Sequence, residues 1–235
     1  MPQPPRFPAA WLTAPVRDYL AALNATRNRG PRGVAAACVA FVLTWFAYVP
    51  LHELLHAWGC LLCGGDVTRL DIAPKYGGAL LARIFPYVVS GSEYAGQLSG
   101  FDTHGNDATY LVTVLAPYLL TVVIGVPLLK RAARPGSSSW LLGVSLPLAY
   151  APFISVAGDF YEAGSILVSR VAHGVSPGIA VQRWRSDDLF KLVGGLYHGG
   201  ATAFDAMGVG ASIAVGLVLA VLTYQGGVRV GLIVR

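Results

Sequence analysis

The sequence predicts an all-α membrane protein with about four transmembrane helices and a short β-hairpin after the first span. Three observations carry this. Of 235 residues, 54% are hydrophobic and only 12% charged, the balance of an integral membrane protein and not of a soluble domain. Long apolar stretches cover about 33–62, 109–129, 139–168 and 204–224, each able to cross a hydrocarbon core of roughly 30 Å. Residues 66–72 alternate polar and apolar, which is strand and not helix periodicity. The expected setting is a multi-pass protein of a bacterial plasma membrane, with the lipid bilayer as its constant partner. The net charge of +5 is spread along the chain and not gathered on one segment, which argues against a nucleic-acid patch.

Residues 1–32 form the first segment. The opening MPQPPRFP lacks the basic n-region and apolar core of a cleavable signal. Trp11, Leu12, Val16, Tyr19, Leu20 and Leu23 then recur at roughly helical spacing, with Arg17, Asp18 and Arg27 between them. This predicts an interfacial amphipathic helix. The first span, about Gly33 to Leu62, reaches about 45 Å as a helix and so must tilt, kink or emerge. Pro50 inside it removes the N–H that the carbonyl of Phe46 would accept. Cys60 and Cys63 form a C-x-x-C at its end. His52 and Cys60 are about 12 Å apart along a helix axis and cannot share an ion, so the pair reads as packing. Gly64-Gly65 ends the helix. After 66–72, residues Pro74 to Gly78 supply a turn and Ala79 to Phe85 a second strand, while 87–108 read as a polar loop.

The second span contains Pro117 and is followed by Lys130, Arg131 and Arg134. The third is broken up by Pro147, Pro152, Gly158 and Gly164 and carries Asp159 and Glu162. Helix breakers at membrane depth are tolerated where the freed backbone lines a buried or wet cavity. A mixed-charge connection over 169–202 holds an amphipathic patch near Leu189 to Leu196. In the fourth span Gly208, Ser212, Gly216 and Ala220 form a small-residue stripe for close helix packing. Asp205, at its edge, reads as a boundary charge.

The chemistry concentrates in His52-Glu53-Leu54-Leu55-His56, an H-E-x-x-H pattern. Positions four apart on a helix share a face, so two imidazoles can grip one zinc ion with Glu53 beside it. Glu53 is the only formal charge between Gly33 and Leu62. A mid-span carboxylate costs roughly 2.5–3.5 kcal/mol, which a helix with no use for it would bear for nothing. The first and third spans start on the same side, and His52 and Asp159 lie about 28 and 30 Å along them. A catalytic zinc takes three protein ligands and keeps an open position. His52, His56 and Asp159 would supply the three. Glu53 would take a proton from water and pass it to a leaving amine. Asp159 is preferred to Glu162 by depth and because Gly158 lets a short carboxylate approach. Glu162 would then lie behind the ligands or serve as the alternative ligand.

An H-E-x-x-H in a span, a hairpin after it, a Pro-containing next span and an Asp in the span after that resemble the core of the site-2 proteases. The resemblance covers roughly residues 34–168. It implies zinc-dependent intramembrane proteolysis of membrane-anchored protein substrates, with 33–235 as the transmembrane metalloprotease domain. Carried over, His52, His56 and Asp159 are zinc ligands and Glu53 is the catalytic base. The chain departs from the family pattern: Phe160 and not Gly follows Asp159, Leu120 stands where Asn is usual after Pro117, and there is no room for an inserted PDZ domain. A divergent branch is implied. An edge of the hairpin at 66–72 could pair with an unwound substrate segment. Two other readings remain at this level: a non-proteolytic metal-binding or metal-transporting protein, and a membrane metalloprotease whose third ligand is Glu162. Ten Lys/Arg flank one side of the spans and seven the other, which leans to a cytoplasmic N-terminus; the resemblance implies the reverse.

Overall fold

The computed structural model describes residues 9–92 and 94–233. Residues 1–8 of the expected N-terminal segment lie outside that range. The helices are α1 (Ala14–Arg27), α2 (Gly30–Leu62), α3 (Asp107–Leu115), α4 (Val126–Ala132), α5 (Trp140–Ile154), α6 (Asp159–Val175), α7 (Leu189–His198) and α8 (Ala203–Ile233). The strands are β1 (Asp66–Ile72), β2 (Val88–Ser90) and β3 (Gly96–Asp102). Among the described residues, four helical stretches are long and apolar enough to cross a membrane: Gly30–Leu62, Asp107–Ala132, Trp140–Ala157 and Ala203–Ile233. The fourth extends well past the expected 204–224. The third ends earlier than 168, because a 3₁₀ turn at Ser155–Ala157 and Gly158 separate α5 from α6.

The chain forms two compact units. The first comprises the residues up to Thr44, Leu120–Tyr150 and those from Val221 onward. Here α1 is helical over much of the segment where an interfacial helix is expected. Its small and polar face is inward, with Asp18 only 8% exposed, while Val16 is 60% exposed alongside Leu12 and Leu20. Asp18 accepts from Lys130 Nζ at 3.0 Å and from the Tyr224 hydroxyl at 3.1 Å. A buried carboxylate needs such partners, and a charged pair inside with leucines outside is the reverse of a water-facing helix. On α5, a Cβ at Gly143 would lie 2.1 Å from the Ala37 carbonyl, so the absence of a side chain allows α2 and α5 to touch.

The second unit comprises Trp45–Leu119 and Ala151–Ala220. Its α2 segment runs helical through Pro50 and closes on a Schellman motif: Gly65 N–H bonds Cys60 O at 3.0 Å and Gly64 N–H bonds Leu61 O at 3.2 Å. Gly64 takes φ +82°, the left-handed value this cap requires. The chain then enters a three-stranded sheet of order β2-β1-β3, with β1 parallel to β2 and antiparallel to β3. The expected hairpin is corrected here. Ala79 to Phe85 is not a strand: its Ala- and Leu-rich start forms a helical turn at Gly78–Leu81. The expected loop 87–108 supplies both partner strands instead. Leu70, Ile72 and Val88 of the sheet pack on Leu54 and Ala57 of α2, which presses the sheet onto the helix that carries the H-E-x-x-H. Asp71 bonds Arg69 and also accepts from Ser99 of β3 at 2.5 Å. The Arg69 guanidinium, helped by Ser99, holds its carboxyl below the usual carboxylate range.

The small-residue stripe of α8 is used as expected. A Cβ at Gly216 would lie 2.4 Å from Phe160 O, and one at Gly164 of α6 would lie 2.2 Å from Ser212 O. Gly208 faces the ring of Trp184. The connection before α7 is tied down residue by residue. Arg183 pairs with Asp205 at 2.7 Å, Trp184 is buried, and Arg185 grips Asp107 in a bidentate pair at 2.7 and 2.9 Å. Asp205 is thus a buried structural anchor, 4% exposed, and not a boundary charge.

Candidate metal centre

His52 and His56 lie on one face of α2, as their spacing requires, and both turn Nε2 toward Asp159. The Nε2 atoms are 3.0 Å apart. His52 Nε2 is 3.2 Å and His56 Nε2 is 3.6 Å from Asp159 Oδ2. These three side chains form a group whose donor atoms could hold a metal ion. Bonds of about 2.0–2.2 Å to a tetrahedral ion give ligand-to-ligand edges of about 3.3–3.6 Å; the observed edges of 3.0, 3.2 and 3.6 Å are close to this, two of them slightly shorter.

The supports behind these three side chains are equally specific. His56 Nδ1–H donates to the Thr113 carbonyl at 2.8 Å. A carbonyl only accepts, so the neutral ring carries its proton on Nδ1 and faces the centre with a lone pair on Nε2. That carbonyl is available because the residue four further on is Pro117, which has no N–H to offer it. His52 Nδ1 bonds the Tyr48 hydroxyl at 2.7 Å, one turn back on the same helix. The Tyr118 hydroxyl donates a very short bond to Asp159 Oδ2. Such outer partners orient metal ligands and fix the tautomer. Asp159 is the first residue of α6, where the helix dipole favours a negative charge, and its N–H bonds Ser155 Oγ at 3.2 Å.

Glu53 points into a cavity of about 880 Å³ shared with His52, His56 and Asp159. Its side chain lies against Gly96 of β3, where a Cβ would come within 2.4 Å of Glu53 Cγ. Glu162 also lines the cavity but stands outside the His52, His56 and Asp159 group, accepting from the Tyr110 hydroxyl at 2.5 Å. One wall of the cavity is β3 and the residues before it, Tyr94 to Ser99. Another part of its lining comes from the connection 182–191, through Gln182, Arg185–Asp188, Phe190 and Lys191. The two parts meet where Gln97 Nε2 donates to Asp187 Oδ2 at 3.1 Å and Lys191 sits over the Tyr94 ring at 5.0 Å.

No protein-family model matches the chain, no curated protein is similar to it, and no solved structure matches its fold.

The remaining candidates lie elsewhere. Cys60 is buried under the sheet with its thiol toward the Asp66 and Asp102 carbonyls, and Cys63 is exposed; both are free thiols outside the centre. His104 sits in the turn after β3, and His173 and His198 lie in α6 and α7. Sequence reading missed Tyr48, Tyr110, Thr113, Tyr118, Gly96 and the 182–191 wall. Two had a signal: Tyr48 is four residues before His52, and Thr113 is four before Pro117. Tyr118, Tyr110 and Gly96 had none, since only tertiary packing brings them to the site.

Proposed function

We propose that this chain is a multi-pass membrane protein and a zinc-dependent intramembrane protease acting on membrane-anchored protein substrates, of the kind the site-2 protease resemblance implies. The observation that carries the reading is the meeting of two imidazole nitrogens and one carboxylate oxygen at 3.0–3.6 Å beside a fourth group, Glu53, in one cavity. Nitrogen and oxygen donors in this number suit zinc, with one position left open. Bound there, zinc supplies Lewis acidity, polarising a carbonyl and making water acidic enough to ionise near pH 7. His52, His56 and Asp159 would hold it. Glu53 takes the proton of the attacking water and returns it to the leaving amine as the peptide bond breaks. The membrane reading draws on the four apolar helices and on α1, which turns leucines outward and an ion pair inward.

A substrate helix must unwind before its peptide bonds can be reached. The edge expected at 66–72 is largely taken, since β3 pairs along β1 from Asp66 to Ile72 on one side and β2 pairs with Leu70–Ile72 on the other. The role passes to β3, an outer strand of the sheet whose residues line the cavity next to Glu53. An extended segment laid along it gains main-chain hydrogen bonds. The test is a comparison of membranes from cells expressing the wild type or Glu53→Gln, searched for new protein N-termini inside predicted spans. The amide is close in shape but cannot accept the proton, and loss of a general base typically costs about 10²–10⁴-fold. Termini that appear with the wild type alone support the reading. The same termini at the same level with both would overturn it.

A further inference from the structure

We propose that α7 is a lipid-contacting helix lying in the bilayer interface, with Phe190, Val193 and Tyr197 turned to the boundary between headgroups and acyl chains. This rests on the membrane reading above. In α7, LFKLVGGLYH, the polar side chains are Lys191 and the terminal His198, and both faces otherwise carry apolar side chains or glycine. Leu189, Leu192 and Leu196 pack inward on Tyr161, Trp184 and Val209. On the other side Phe190 is 76%, Val193 47% and Tyr197 81% exposed. A helix apolar all round belongs in a core or a membrane, since a water-facing side would carry polar residues. The polar Lys191 does not serve that side, because its ammonium is turned to the Tyr94 ring at the cavity.

Position names the apolar medium. Residues 199–202 join α7 to Ala203, the start of the 31-residue apolar helix α8. Helix α7 therefore sits at the level where a span begins. At ten residues it is about 15 Å long, half of a roughly 30 Å hydrocarbon core, so it lies along the interface and does not cross. Aromatic rings are the side chains enriched at that depth, and Tyr197 offers an apolar body with a polar tip. Exposed Phe204 and Met207 continue the apolar surface into the first turns of α8. Because Asp188, Phe190 and Lys191 also line the cavity, an interfacial α7 puts the cavity mouth at the bilayer surface.

The test uses the full chain in vesicles of phosphatidylethanolamine and phosphatidylglycerol. Phe190→p-benzoylphenylalanine and Tyr197→p-benzoylphenylalanine are irradiated and the intact masses measured. Val193 provides a third position on the same face if either aromatic variant does not purify. Val218→p-benzoylphenylalanine, on an exposed position of α8, is the control for the membrane reading itself. The proposal expects the mass of one phospholipid added at the α7 positions and at Val218. Lipid at Val218 with none at the α7 positions would overturn the proposal and leave the membrane reading standing. Adducts of protein mass at the α7 positions would make this face a protein interface and equally overturn it. No lipid at any position would remove the membrane reading and this proposal with it.

Discussion

Glu53 has room beside β3 only because residue 96 lacks a side chain. A methyl there would meet Glu53 Cγ at 2.4 Å and push the carboxylate aside, while the histidines, held by Tyr48 and Thr113, keep their places. Misplacing a reacting group by about 1 Å can cost about 10²-fold. Gly96→Ala is therefore expected to lose about that much cleavage while retaining its metal, measured by activity and metal content on the same sample; full activity would show that Glu53 is not the positioned base. At this scale the pair His52 and His56 was legible, because i and i+4 on a helix leave little freedom. Asp159 was reached by counting along the expected third span, although it stands just past that helix, as the first residue of α6. Gly96 and Tyr118 were not, since nothing local in either residue records which strand or helix will stand opposite.

Between elements, the wall 182–191 and the wall of β3 both line the cavity and touch through Gln97–Asp187 and Tyr94–Lys191. On the proposed reading, a substrate segment laid along β3 would part them. Gln97→Cys with Asp187→Cys, once oxidised, is expected to block cleavage, and reductant to restore it. Wild type carries free Cys38, Cys60 and Cys63 and serves as the control that reductant alone changes nothing. Cleavage undiminished in the oxidised double variant would exclude passage between these walls. The sheet shows where element reading failed. Strand β1 was visible in the alternation of DVTRLDI. GQLSGFD of β3 has two glycines and no β-branched residue, so its strand character comes from its pairing with β1 and not from propensity. The run ALLARIF carries helix formers at its start and turned helical. Helix α1 was legible from the spacing of its apolar residues, but Asp18 read only as one of the charges between them. The chain instead spends Asp18 on Lys130 and Tyr224.

For the whole molecule, composition was the strongest signal, and the four apolar helices follow it closely. Their ends were less legible, since helices continue past the last apolar window wherever capping or packing sustains them, as α8 does to Ile233. Orientation is a property of the whole chain in its membrane, and the ten-to-seven distribution of Lys/Arg gives it little leverage. Reporter fusions at Gly105 and Gly136 address it. Both are turn glycines with φ of +71° and +78° and open space around them, one at each end of the Asp107–Ala132 helix. The two reporters are expected on opposite sides of the membrane; both on one side would contradict the four-span arrangement.

The central claim is that His52, His56 and Asp159 form one metal centre and that Glu162, one turn along α6, is not part of it. The direct measurement is metal content of the purified full chain. Wild type is expected to carry about one zinc, as a three-ligand catalytic site does. His52→Ala and Asp159→Asn are expected to lose most of it, and Glu162→Gln to keep it. A wild type without metal, full zinc in His52→Ala, or zinc kept in Asp159→Asn and lost in Glu162→Gln would contradict the account.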